Sequence, residues 1–232
     1  MRNIRSSALS FLVQKLRISN KKALEAIANK ELTINGLPAT VKQEIQPSDE
    51  VKLQGEIVQH PTGYLYLLYH KPRGIESTLN EKIPNNLAKA LEELPRVFPV
   101  GRLDKDSEGL LFLTNDGSLY NKIAHSESKQ EKEYEVEVDH VLSEEFLEKL
   151  RQGVEIMGKR TLPAKVTATG LHTFNIVLTQ GLNRQIRRMC YKSGYEVLRL
   201  KRVRIAHLQL GNLAEGEWRF LENEETNLLV DI

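Results

Sequence analysis

The 232-residue sequence predicts an α+β fold, with a small N-terminal module over residues 1–58 and a larger domain over residues 63–232 built on a mixed, largely antiparallel sheet. Three observations carry this expectation. Strand-like and helix-like segments are mixed along the chain. Several strand pairs are joined by short loops, which suits antiparallel neighbours. The length accommodates one large domain plus a small one, and 40% apolar with 28% charged residues is ordinary for a globular protein.

Each element follows from its residues. Leu9, Leu12, Val13 and Leu16 fall at helical spacing. Ser19-Asn20 offers an N-cap for a second helix, Lys21 to Asn29. Leu32 to Ile34 and Leu37 to Val41 flank Asn35-Gly36, the strongest short hairpin signal. Pro47 to Glu50 turns the chain into a strand, Val51 to Leu53, and residues 55–62 form a linker. Tyr64 to His70 reads as a strand ended by Lys71-Pro72-Arg73-Gly74. Asn85 to Leu94 reads as a helix stopped by Pro95, and Ser118 to Ala124 as another. Glu133 to Val138 alternates as a half-buried strand, and Ser143 caps a helix to Leu150. Lys165 to Ala168 and Thr173 to Leu178 are strands, Arg184 to Lys192 is a helix ended at Ser193-Gly194, and Tyr195 to Leu210 holds one or two strands.

The stretch from Phe98 to Gly117 organises the larger domain. A short β-rich entry ends at Pro99 and Gly101, a charged loop runs from Arg102 to Glu108, and an apolar run leads to the turn Asn115-Asp116-Gly117. Loops held by rigid strands commonly carry catalytic side chains. This one concentrates Asp104 and Asp106 beside Arg102 and Lys105. From composition alone, a solvated charged turn is the more common outcome.

Net charge is only +2, so its distribution matters more than its total. Residues 181–205 hold eight Arg or Lys against the single acid Glu196, the mark of a local polyanion site. In the N-terminal module nine bases, among them Arg2 and Arg5, face six acids. Lys21 and Lys22 open a helix, where the dipole favours phosphate. Cys190 is the only cysteine, so no intrachain disulfide forms, and its helical setting suits a buried structural thiol. The N-terminus lacks a long apolar segment and no apolar run is long enough to span a bilayer, which points to a cytoplasmic protein. There is no Cys/His metal spacing, Walker loop or Gly-x-Gly-x-x-Gly element.

The stretch GRLDKDSEGLLFLTNDG resembles the signature of the RsuA-type pseudouridine synthases. KEYEV at 132–136 looks like that family's tyrosine motif, and GLNRQIRRM at 181–189 like its basic motif. His70-Lys71-Pro72-Arg73-Gly74 resembles its Asn-Lys-Pro-x-Gly entry, with His70 in place of Asn. The match covers nearly the whole chain and is most similar to the RluF branch. The N-terminal element order resembles the ribosomal-protein-S4-like RNA-binding domain.

The resemblance implies isomerisation of a uridine already in RNA, with no cofactor and no metal. It places the nucleophile or base on Asp104, an active-site arginine paired to it on Arg187, and a base-stacking tyrosine on Tyr134. It implies that Arg102 fills the gap left by the extruded base. Phosphate contacts fall to Lys21, Lys22, Lys71, Arg184, Arg188 and, in our reading, Lys192, and an apolar contact under the base to Leu200. The implied partners are large-subunit (23S) ribosomal RNA and a tRNA anticodon loop, acted on by a monomer with no membrane association. The competing class is a non-catalytic RNA-binding ribosome assembly factor, which has no need of a carboxylate beside polyanionic RNA.

Overall fold

Two hairpins and a helix pair build the N-terminal unit. The computed structural model describes residues 6–92, 94, 97–124 and 130–231. This unit runs up to Leu65 and takes in Asn115–Gly117. Arg2 and Arg5 lie outside the described residues. β1 (Ser6–Ser7) leads into α1 (Ala8–Lys15), capped by the Ser7 hydroxyl, and Ser19 caps α2 (Asn20–Ala28) in the same way. β2 (Leu32–Ile34) turns through Asn35-Gly36 into β3 (Leu37–Pro38). β4 (Glu44–Ile45) pairs with β1. β5 (Val51–Leu53) pairs with both β2 and β6 (Glu56–Gln59). Phe11, Leu12, Ile27, Leu32 and Val51 form the core under the two helices.

The expected linker at 55–62 is therefore partly a strand. Gln54 and Gly55 both have positive φ (51° and 86°), so they make the two-residue turn that matches strand twist, as Asn35-Gly36 does. The unit boundary falls at Leu65 because the chain remains tied to it. The Asn115 side chain accepts from Leu65 N–H (2.8 Å) and donates to Gly63 O (3.2 Å).

The second unit holds Tyr66–Thr114 and residues from Ser118 onward. In chain order it comprises β7 (Tyr66–Lys71), α3 (Leu87–Ala90), β8 (Phe98–Pro99), β9 (Glu108–Thr114), α4 (Ser118–Ala124), β10 (Lys132–Val138) and α5 (Glu144–Gln152). A small hairpin, β11 (Glu155–Ile156) and β12 (Lys159–Arg160), precedes β13 (Lys165–Ala168), β14 (Thr173–Leu178) and α6 (Gln185–Lys192). β15 (Val197–Ile205), β16 (Leu208–Gln209), β17 (Trp218–Phe220) and α7 (Asn223–Asn227) complete it, with a closing 3-10 turn at Leu228–Asp231.

Its sheet runs β13-β14-β10-β15-β9-β7-β17, with β16 beside β15 and β8 beside β9. β9 and β15 pair in parallel, and the other neighbours are antiparallel. The sheet is thus mixed and largely antiparallel. Phe146, Leu150, Phe174, Ile186 and Met189 form one core cluster, and Leu68, Leu110, Phe112 and Leu119 belong to another. Cys190 is fully buried, and burial pushes its thiol up to about 12, so it is inert at neutral pH.

The helix expected over Asn85 to Leu94 is shorter. Asn85 has φ +52°, the Asn86 side chain caps Ala88 N–H, and Leu91 already ends the helix. The expected stop at Pro95 lies outside the described residues. β8, β11, β12, β17 and α7 carried no strong periodic signal, being five residues or fewer.

Candidate active site

The Asp104 loop is fixed through its backbone while its carboxylate stays open. Gly101, at φ +81°, turns the chain out of β8. The buried Ser77 hydroxyl donates to Leu103 O (2.8 Å) and accepts from Leu103 N–H (3.1 Å). Ser107 N–H donates to Asp104 O (3.0 Å), closing a turn, and Gly74 N–H donates to Lys105 O (2.8 Å). The Asp104 side chain is 33% exposed. Just beyond, the buried Glu108 carboxylate accepts from Arg199 Nη2 (2.6 Å) and Nε (2.8 Å), which anchors the start of β9 to β15.

α6 delivers two arginines to this loop. Arg184, its N-cap, holds a left-handed conformation (φ 50°) and points Nη1 to 3.3 Å from Asp106 Oδ2 and 3.9 Å from Asp104 Oδ2. Arg187 does not pair with Asp104 as expected. It donates from Nη2 to Asp106 O (2.8 Å) and from Nη1 to Val197 O (2.9 Å), clamping the loop to the start of β15. Burial, reinforced by the neighbouring Arg184 charge, lowers the pKa of Arg187 from its usual value, but an arginine remains a cation. Arg188 is exposed and braced on Asn183, through its carbonyl and side-chain oxygen (3.0 Å each).

Arg202 links the loop to the tyrosine strand. It is 3% exposed and donates from Nε to Leu110 O (2.8 Å) and from Nη1 to Arg102 O (3.4 Å). Across the sheet it pairs with Tyr134 of β10 on one side and Gly109 of β9 on the other. Tyr134 shares its face of β10 with buried Val136 and Val138 and packs half-buried on that core. Arg102 is itself exposed, and its side chain makes no hydrogen bond or ion pair among the described residues.

A sequence profile for RNA pseudouridylate synthases matches residues 65–192. The chain is 41% identical over 216 residues to the dual-specificity RNA pseudouridine synthase RluF of Escherichia coli K12, covering 92% of this chain and 73% of that one. The chain belongs to the RNA pseudouridylate synthase family. It is also 36% identical over 222 residues to the ribosomal large subunit pseudouridine synthase B of Bacillus subtilis, covering 91% and 90% of the two chains. A solved pseudouridylate synthase superposes with a TM-score of 0.69 at 26% identity, covering 96% of this chain and 99% of that one. The protein is therefore an isomerase that modifies RNA.

Within this synthase, Asp104, Arg184 and Arg187 meet at one loop, and Arg102 and Tyr134 join them through Arg202. Lys71 is a correction. Expected to touch RNA, it has no exposed surface: it ends β7 opposite Gly109 of β9, at the close of a run of buried residues that begins at Leu67. Its Nζ donates to Pro72 O and Ile75 O (2.7 Å each), tying off the turn that supports Lys105. Burial pushes its amine down to about 8, with Glu108 pulling the other way. Leu200 is 6% exposed, opposite Val136 in register and on the Tyr134 face of the sheet. In the other unit, Lys21 and Lys22 stand exposed in the first turn of α2.

Sequence reasoning missed Ser77, Glu108, Arg199 and Arg202. The sequence signal for Arg202 was weak, since β15 (VLRLKRVRI) carries four bases and nothing in it singles out the buried one. Ser77 had no signal.

Proposed function

We propose that Asp104 is the catalytic carboxylate of this synthase and acts on a uridine swung out of a structured RNA. The reaction breaks the C1′–N1 bond, turns the uracil and forms a C1′–C5 bond. The C5 proton is lost and N1 gains one, so atoms balance without an outside reagent. Asp104 serves either as the nucleophile at C1′ or as the base toward the 2′ position. Tyr134 stacks on the extruded uracil, and Leu200 contributes the apolar floor beside it. Arg187 acts as a positioning residue by clamping the Asp106 carbonyl, and Arg184 places a guanidinium beside the Asp104 and Asp106 carboxylates. Arg102 fills the gap left in the RNA, offsetting an extrusion cost of a few kcal/mol.

The observation that supports this reading best is the loop itself. Ser77, Gly74 and Arg187 fix its backbone on three sides, yet the Asp104 carboxylate stays open. Such preorganisation is what a positioned reacting group requires. Ser107 of the loop, and Arg187 and Arg202 that bond its backbone, each hold a buried donor (Oγ, Nε and Nη2) with no partner among the described residues. The N-terminal unit is read as an S4-like RNA-docking domain, with Lys21 and Lys22 on phosphates. The substrates are large-subunit ribosomal RNA and a tRNA anticodon loop, in keeping with the dual specificity named for the Escherichia coli relative. The protein works as a cytoplasmic monomer; among the described residues no helix is long and apolar enough to cross a membrane.

Base-resolved mapping of pseudouridine in total RNA, with and without the gene, tests this reading. The expected result is loss of pseudouridine at one ribosomal site and one tRNA site. Unchanged maps in both RNA classes would contradict it.

A further inference from the structure

A recess of about 780 Å³ runs along α6. Arg184, Arg187, Arg188, Tyr191 and Lys192 line one side of it. Their three- and four-residue spacing puts them on one helical face, while Gln185, Ile186, Met189 and Cys190 are buried on the other. The facing wall holds Met157, at the tip of the β11–β12 hairpin. Tyr191 is 78% exposed and Met157 65% exposed. The helix therefore presents a tyrosine ring to water in the middle of four cations.

The charge of the recess is not balanced within it. Asp139 and Glu196 are its acids. Asp139 is already engaged, accepting from Glu196 N–H (2.8 Å) and lying 2.8 Å from His140 Nδ1. A basic groove with an exposed aromatic ring suits single-stranded nucleic acid, whose bases are free to stack. A duplex keeps its bases inside and would leave the ring unused. The recess also joins the Asp104 loop through Arg184 and Arg187, which line one and touch the other.

We propose that this recess holds an unpaired nucleotide of the RNA substrate adjoining the target uridine, with its base stacked on Tyr191 and its phosphates on Arg188 and Lys192. The inference rests on the RNA-modifying function above and adds a substrate requirement, an unpaired segment beside the modified base.

The test is fluorescence anisotropy of the full-length protein with two labelled probes, a twelve-nucleotide oligouridine and a blunt RNA duplex of twelve base pairs. Tyr191→Ala should weaken oligouridine binding about tenfold, the scale of one lost base–aromatic stack, and leave duplex binding unchanged. Tyr191→Phe should restore oligouridine binding. The salt dependence should be unchanged in Tyr191→Ala, which removes no charge, and shallower in Lys192→Ala. Equal losses on both probes, no loss on either, or failure of Tyr191→Phe to restore binding would overturn the inference. Binding is read independently of chemistry. A wild-type protein that binds oligouridine through Tyr191 but forms no pseudouridine would overturn the proposed function, whereas full activity with Tyr191-independent binding would overturn the recess alone.

Discussion

Lys71 shows how a single side chain can change meaning between sequence and structure. Beside Pro72 and Arg73 it reads as an exposed cation, yet it is fully buried and holds two backbone carbonyls of its own turn. Its amine titrates at about 8, against 10.5 for an ordinary lysine. A neutral amine still has two N–H groups, enough for both carbonyls. Below pH 8 the folded and unfolded chains both carry the proton. Between about 8 and 10.5 the unfolded chain keeps it while the folded chain has lost it, so the Lys71 contribution to stability rises with pH over that window. The stability difference between wild type and Lys71→Met should therefore grow in favour of wild type from pH 8 to 10.5. Urea unfolding followed by the fluorescence of Trp218, the only tryptophan and a residue of the second unit, measures it. A flat difference would mean that Lys71 titrates normally. The Asp104 loop was legible because its motif is long; by composition alone it reads as an ordinary charged turn. Lys71 was not, because burial of a charge is decided by which strands flank it.

At the level of elements, the parallel contact of β9 with β15 sets the site. Gly109 takes φ +106°, and a Cβ there would lie 2.3 Å from Arg202 O and 2.6 Å from Arg202 N. Those are backbone atoms of a paired strand and have nowhere to go. The glycine five residues after Asp104 is thus required by close strand approach. Gly109→Ala combines backbone strain with overpacking and should cost more than about 3 kcal/mol. It should lower the urea midpoint of the Trp218 transition and reduce activity by displacing the loop from Arg202. An unchanged midpoint would show that β9 and β15 can separate without penalty. Helix α1 was legible from its apolar spacing, α2 and α5 from Ser19 and Ser143, which both accept at N-caps, and α6 from its stop at Ser193-Gly194, while the Ser7 cap of α1 was not read. The hairpin at Gln54-Gly55 was not, because glutamine rarely supplies a positive φ and its turn signal is half that of Asn35-Gly36. The clamp from Arg187 onto two carbonyls was equally hidden. A sequence names an arginine but not which of several oxygens it will reach.

At the scale of the whole molecule, the chain divides into two units with separate cores. Residues 66–232 contain Asp104, Tyr134, Arg184, Arg187 and Arg202, so this fragment should fold alone. It should bind a structured RNA more weakly than the full chain, with a shallower salt dependence once the lysines of the first unit are gone. Filter binding across a salt series checks this, and an unchanged slope would deny the N-terminal unit a role in docking. The central claim concerns chemistry rather than docking, and tritium release from RNA labelled at C5 of uridine tests it most directly. Asp104→Asn replaces a carboxylate with an amide of similar shape and leaves the backbone clamps in place. The account predicts that wild type releases tritium, that Asp106→Asn does so at a comparable rate, and that Asp104→Asn releases none while binding the RNA with near wild-type affinity. Release by Asp104→Asn at the wild-type rate, or its loss in Asp106→Asn alone, would contradict it.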